Sequence, residues 1–177
     1  MGKGAMHEKP SQPGTAAGLL FLREEELRLA QDMIFFANRD LVAAADAILA
    51  EIGFGRAHHR TLHFIGRNPG LPVGELLHIL GIAKQSLARV LGPLIRDGYV
   101  EQTPGRADRR QRLLSLTPAG AALERKLFEA QRERLIAAFR EAGGPAVEGF
   151  RKVLRGMMKE EARAYLDRAE AARNARR

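Results

Sequence analysis

The 177 residues contain no cysteine and no tryptophan. Without cysteine there is no disulfide, no thiolate metal site and no thiol redox switch. The chain also lacks a secretory leader pattern and any run of about 18 apolar residues, so a soluble, cytoplasmic protein is expected. Acidic residues are in short supply: 21 Asp and Glu stand against 29 Lys and Arg, a formal net charge of +8. That imbalance favours a polyanionic partner. Phosphate-loop, nucleophile-elbow and zinc-protease motifs are absent as well, so the reading is of a non-enzyme with no cofactor.

Apolar residues make up 45% of the chain, enough for a core. The most informative stretch is 71–120. Val73, Leu76, Leu77 and Leu80 lie at i, i+3, i+4 and i+7, one apolar stripe on a helix of about two turns, which Gly81 ends. Leu87, Val90, Leu91 and Leu94 repeat the spacing, which leaves Lys84, Gln85, Ala88 and Arg89 on the opposite face. A helix fits the B-form major groove, where Arg pairs with guanine, Gln with adenine and Ser with either base edge. Lys84, Gln85, Ser86 and Arg89 are therefore the candidate base readers. Gly92-Pro93 interrupts this helix at a cost of roughly 3 kcal/mol, so its groove-facing part is expected to end near Leu91.

Tyr99 to Thr103 and Arg112 to Leu116 read as two strands of a hairpin, joined by Pro104-Gly105 and Arg106-Ala107-Asp108-Arg109-Arg110. A narrow minor groove attracts inserted arginine, which gives Arg106, Arg109 and Arg110 a purpose at the tip. Asp108 would repel phosphate if free; it is expected to pair with Arg109 or Arg110 and hold the wing in shape. Thr117 as N-cap and Pro118 in the first helical position start the next helix. The order is that of a winged helix-turn-helix.

The run Asp108-Arg109-Arg110 followed by Leu116-Thr117-Pro118-Ala119-Gly120 resembles the signature of MarR-type transcriptional regulators. The upstream Pro-Gly-Leu, Glu-Leu-Leu and Gly-Ile-Ala-Lys-Gln-Ser match too, and the resemblance runs from about Leu20 to Tyr165. Pro72 and Ala83 depart from it, standing where the family usually has a Thr or Ser N-cap. The resemblance implies a mainly α fold: a winged helix-turn-helix with a small β-hairpin wing and long N- and C-terminal dimerisation helices. It also implies a homodimer on double-stranded DNA with an inverted-repeat operator, more often a repressor than an activator. Members often hold a small aromatic or anionic effector between the dimer helices and the DNA-reading lobe, where Met33, Phe36, His59, Arg60 and His63 would lie.

The flanks extend this organisation. Residues 1–18 lack periodicity and are expected to be a disordered tail, with Met1 to Ala5 a possible expression remnant. Residues 19–53 form a dimerisation helix: Leu20, Leu27, Ile34, Leu41 and Ile48 recur every seven residues, with Ala30, Ala37 and Ala44 between them. About 33 residues at 1.5 Å rise make a rod of roughly 50 Å, too long for one small chain to cover with its own core. Gly53-Phe54-Gly55 is a hinge into the DNA-binding lobe at 54–120, whose first helix runs from about Arg56 to Arg67. Residues 121–169 give C-terminal dimerisation helices, one from about Pro118 to Ala142 and one from about Pro145 to Ala169, parted by Gly143-Gly144. Residues 170–177 are a basic tail.

His59 and His63 stand at i, i+4 with His58 beside them, a spacing that can supply two ligands to a metal ion, though two do not make a site. A metal-responsive regulator built on His58, His59 and His63 is thus an alternative. So is a non-specific or architectural DNA-binding protein using the same wing, or a helical module whose winged lobe docks protein.

Overall fold

The computed structural model describes residues 21–175 and is mostly helical. Its elements in chain order are α1 (Glu24–Ala50), α2 (Arg56–Arg67), β1 (Leu71–Pro72), α3 (Val73–Leu80), α4 (Lys84–Arg96), β2 (Val100–Pro104), β3 (Arg112–Leu116), α5 (Pro118–Met157) and α6 (Glu160–Asn174). Two compact units are distinguished, one ending at Asp40 and the other beginning at Leu41.

In the first unit every side chain of α1 up to Arg39 is exposed. The helix opens with Glu24, Glu25 and Glu26, acids suited to the positive end of the macrodipole. Arg28 holds Glu24 one turn back at 2.6 Å. The expected start at Leu19 lies outside the described residues, as does the tail at 1–18.

The second unit is the winged lobe. Its core gathers Ala45 and Leu49 from the end of α1, Leu62 and Ile65 from α2, and Leu76 from α3. Leu87, Leu91 and Leu94 of α4, Val100 and Leu114 of the sheet, and Leu123 and Leu127 of α5 complete it. Of the stripes expected in α3 and α4, Leu76, Leu87, Leu91 and Leu94 are buried, and Val73, Leu77, Leu80 and Val90 pack partly buried against them. The sheet is antiparallel in the order β1-β3-β2, with Val100 opposite Leu116 and Pro104 opposite Arg112. β1 was not expected, since two residues including a proline carry no strand signal. It pairs at the sheet edge, Leu71 opposite Leu114, where a proline costs no ladder bond.

Three expectations need correction. α4 runs unbroken through Pro93 to Arg96. Leu91 and Leu94 are both buried, so packing on either side of the proline outweighs its lost hydrogen bond. The last helix does not run from Pro145 to Ala169. Extended backbone at Met158 (ψ 148) and Lys159 (ψ 161) divides it, and α6 continues to Asn174, within the expected tail.

This division lets α6 fold back: Arg155 grips Asp167 at 2.6 Å and Glu170 at 2.8 Å. Tyr165, on the stretch expected to be a dimerisation helix, packs edge-on against Phe64 of α2, and its hydroxyl accepts a hydrogen bond from Asn68 at 3.1 Å. Gly143, at φ 77, does interrupt α5 where the Gly-Gly pair was expected to end a helix.

Candidate nucleic-acid interface

The turn between α3 and α4 depends on Gly81, which caps α3 in the left-handed region at φ 62 and returns its N–H to the Leu77 carbonyl at 3.0 Å. α4 then begins after Ala83, which offers no side-chain oxygen. The first N–H groups of this helix therefore lack both an internal acceptor and a cap, a arrangement favourable to phosphate. Lys84, Gln85, Ser86 and Arg89 are all exposed, while Leu87 and Leu91 hold the opposite face in the core. Pro72 likewise caps α3 without a side-chain bond.

The wing tip is closed by backbone. Gly105 N–H donates to the Gln111 carbonyl at 2.9 Å, and Gln111 N–H donates to the Asp108 carbonyl at 3.0 Å. A side chain at Gly105 would meet that Asp108 oxygen at 2.7 Å, so the tight loop requires glycine. The Asp108 carboxylate accepts the Arg110 backbone N–H at 2.9 Å, where a guanidinium partner was expected. The carboxylate thus shapes the loop without occupying a cation. Arg106, Arg109 and Arg110 are exposed and, like Lys84 and Arg89, take part in no ion pair, whereas Arg96 at the far end of α4 is held by Asp97 at 2.8 Å. Arg112, at the base of β3, is also exposed and unpaired. Sequence reasoning passed over it as a strand residue, although a basic residue two positions after Arg110 was a signal.

The base of the wing is locked to α5. Thr117 hydroxyl accepts the Gly120 N–H at 3.1 Å and donates to the Gly98 carbonyl at 2.6 Å, while Thr117 N–H donates to the Tyr99 carbonyl at 3.1 Å. The expected cap is present, and it ties β2, β3 and α5 into one joint.

The expected effector residues fall in both units. Met33 and Phe36 belong to the first and are exposed, Phe36 lying under the Arg39 guanidinium at 4.7 Å. His59, Arg60 and His63 belong to the second, where Arg60 is exposed and the two imidazoles are half-buried. Burial, first of all, pushes the titration of His58, His59 and His63 below the usual value of 6.5. His58 Nδ1 accepts the Gly55 N–H at 3.1 Å and its ring stacks on Phe54, so the expected hinge carries packed side chains beside Gly53 at φ 73. Among the described residues no three His, Asp or Glu side chains are arranged to hold a metal ion. A cavity of about 560 Å³ lies elsewhere in this unit, between α3 and α6, lined by Phe64, Ile79, Leu80, Met158, Tyr165 and Leu166 among others. No helix of the described residues is long and apolar enough to cross a membrane.

Comparison with known proteins bears on this geometry. The profile of the MarR family matches residues 52–111, from the end of α1 to the wing. Over 140 residues the chain is 56% identical to the HTH-type transcriptional regulator PetP of Rhodobacter capsulatus, covering 79% of this chain and 84% of that protein. The fold is similar to that of a mutant Escherichia coli MarR complexed with operator DNA, with a TM-score of 0.60 at 22% identity over 79% of this chain and 99% of that one. It is also similar to that of the Staphylococcus aureus MepR–DNA complex, with a TM-score of 0.56 at 17% identity over 72% and 94% of the two chains. The two structural likenesses establish the winged fold, and the identity shared with PetP across most of both chains goes further: this protein belongs to the MarR family of transcriptional regulators.

Proposed function

We propose that the chain is a homodimeric, sequence-specific DNA-binding repressor that a small aromatic or anionic effector releases from its operator. The observation that carries the reading is the set of cations left without carboxylate partners at the start of α4 and at the wing tip. Arg89, with Lys84, Gln85 and Ser86, reads base edges in the major groove; Arg106, Arg109 and Arg110 enter the minor groove, and Asp108 shapes the tip.

Dimerisation has its own support. Leu27, Ile34, Phe35 and Phe36 of α1 are exposed, as are Phe128, Phe139, Phe150, Val153 and Met157 of α5. Large apolar side chains in such number are costly in water and are what a second copy would cover. Within the winged lobe His59, Arg60 and His63 are the effector-binding candidates that the family resemblance implies, and effector control of DNA affinity requires unequal binding to two conformations.

The test is selection from a random-sequence duplex pool, followed by affinity measurements at fixed salt. A specific regulator holds the selected duplex at least about 10³-fold more tightly than bulk DNA. A ratio near unity supports an architectural binder in its place.

A further inference from the structure

Helix α2 carries two imidazoles one turn apart toward carboxylates from two other elements. His63 Nδ1 lies 3.7 Å from Glu124 Oε1 of α5, just beyond a hydrogen bond. His59, one turn earlier, feels the charges of both Glu124 and Asp46, the latter near the end of α1. Asp46 Oδ2 accepts from Arg56 Nε at 2.7 Å, but its Oδ1 is buried with no hydrogen-bond partner. Arg67, one turn beyond His63, adds positive charge beside that ring, and the Phe64 ring stands edge-on to it at 5.1 Å. A neutral imidazole donates one hydrogen bond and an imidazolium two. The cluster therefore holds acceptors that only a proton would fully use.

We propose that His59 and His63, set between Asp46 and Glu124, form a proton-binding site whose occupancy resets the junction of α1, α2 and α5 and makes sequence-specific DNA binding respond to pH. The inference rests on the DNA-reading function proposed above. In the arrangement described, burial disfavours the charged form of both imidazoles, aided at His59 by the charge of His63 and opposed there by Asp46 and Glu124, and aided at His63 by the charge of Arg67. An imidazolium favours another arrangement, one in which the carboxylates close in or water enters. Acidification consequently moves population away from the present one, by the difference in proton affinity between the two. The route to DNA is short. Glu124 stands on α5, whose first turn is locked through Thr117 to the base of the wing.

Two readouts test the proposal. Because the chain has no cysteine, Ala47→Cys and Ala122→Cys, both at exposed positions, take spin labels without background. The label separation is expected to change between about pH 7.5 and about pH 5.5 in the parent and to stay constant in the His59→Gln/His63→Gln variant. Over the same interval at constant ionic strength, the affinity ratio of the selected duplex to bulk DNA falls at least about threefold in the parent, the effect of half a pKa unit, and is flat in that variant. Using a ratio removes the general tightening that added positive charge gives any DNA.

Glu124→Gln, which keeps the helix and removes a carboxylate, is expected to move the midpoint of the response to lower pH. An unchanged label separation, or the same pH response in the histidine variant, overturns the proposal. So does a response that needs added zinc and is abolished by EDTA. If no duplex is enriched from the pool, the DNA-reading function fails, and the label separation alone still decides the proton site.

Discussion

The Asp108 carboxylate accepts the Arg110 backbone N–H at 2.9 Å, so the acid at the wing tip stabilises the loop that presents the arginines. Charge alone says that removing Asp108 should tighten DNA binding. Geometry says the opposite, because an Asx turn pre-forms the tip. Asp108→Ala is expected to weaken binding to the selected duplex by about 1 kcal/mol, and Asp108→Asn, which keeps the turn, to bind at least as well as the parent. Fluorescence anisotropy at fixed salt measures both. Tighter binding by the alanine variant contradicts the assigned role.

Gly120 is buried in the first turn of α5, and a methyl group there would run into the Tyr99 carbonyl oxygen. That oxygen already accepts the Thr117 N–H, so it cannot retreat without breaking the joint. Gly120→Ala is expected to destabilise the fold by about 3 kcal/mol, read as a lower urea midpoint. A midpoint equal to the parent's means the wing and α5 are less tightly joined than described.

His58, His59 and His63 each titrate below 6.5 in the folded chain, chiefly through burial. Below that value the unfolded chain binds more protons than the folded one, so the stability from these three rings is fully present above pH 6.5. It is lost as the pH falls from there through the lower folded values. Thermal unfolding is therefore expected at a lower temperature near pH 5.5 than near pH 7.5, by about 2 to 4 °C for each kcal/mol lost in a domain of this size. His63→Gln should flatten the dependence. A parent melting temperature that rises on acidification would contradict the burial of these rings.

Which parts of this were legible in the sequence follows from where the determining forces lie. The stripes of α3 and α4, the Thr117-Pro118 start and the Pro104-Gly105 turn are local signals, and their elements begin at or within a residue of the expected positions. The unbroken helix through Pro93 is set by two leucines packing against distant elements. The division at Met158 and Lys159 is held by contacts beyond the reach of local spacing, from Arg155 to Asp167 across the break and from Tyr165 to Asn68, 97 residues away. Periodicity cannot reveal such pairs. The exposure of Lys84, Gln85, Ser86 and Arg89 followed from spacing, but the partner of Asp108 did not, since a carboxylate next to two arginines reads as an ion pair until the turn geometry is known.

Ile34 is 47% exposed and lies on the stripe that repeats every seven residues along α1. Ile34→Asp is expected to abolish dimerisation and DNA binding together, and so is Leu41→Asp, because an unpaired carboxylate buried in an apolar contact costs several kcal/mol. Sedimentation gives the mass. A variant that remains a dimer places the subunit contact elsewhere.

The central claim is that α4 reads bases while the wing engages the minor groove, and comparing base preferences of Arg89→Ala and Arg110→Ala on every single-base change of the selected duplex tests it most directly. The account expects a duplex with inverted half-sites about one DNA turn, ~34 Å, apart. It expects each variant to lose about 1 to 3 kcal/mol of affinity, with preference relaxed at one position per half-site in Arg89→Ala alone. If both variants bind every duplex as the parent does, neither residue reads or anchors DNA.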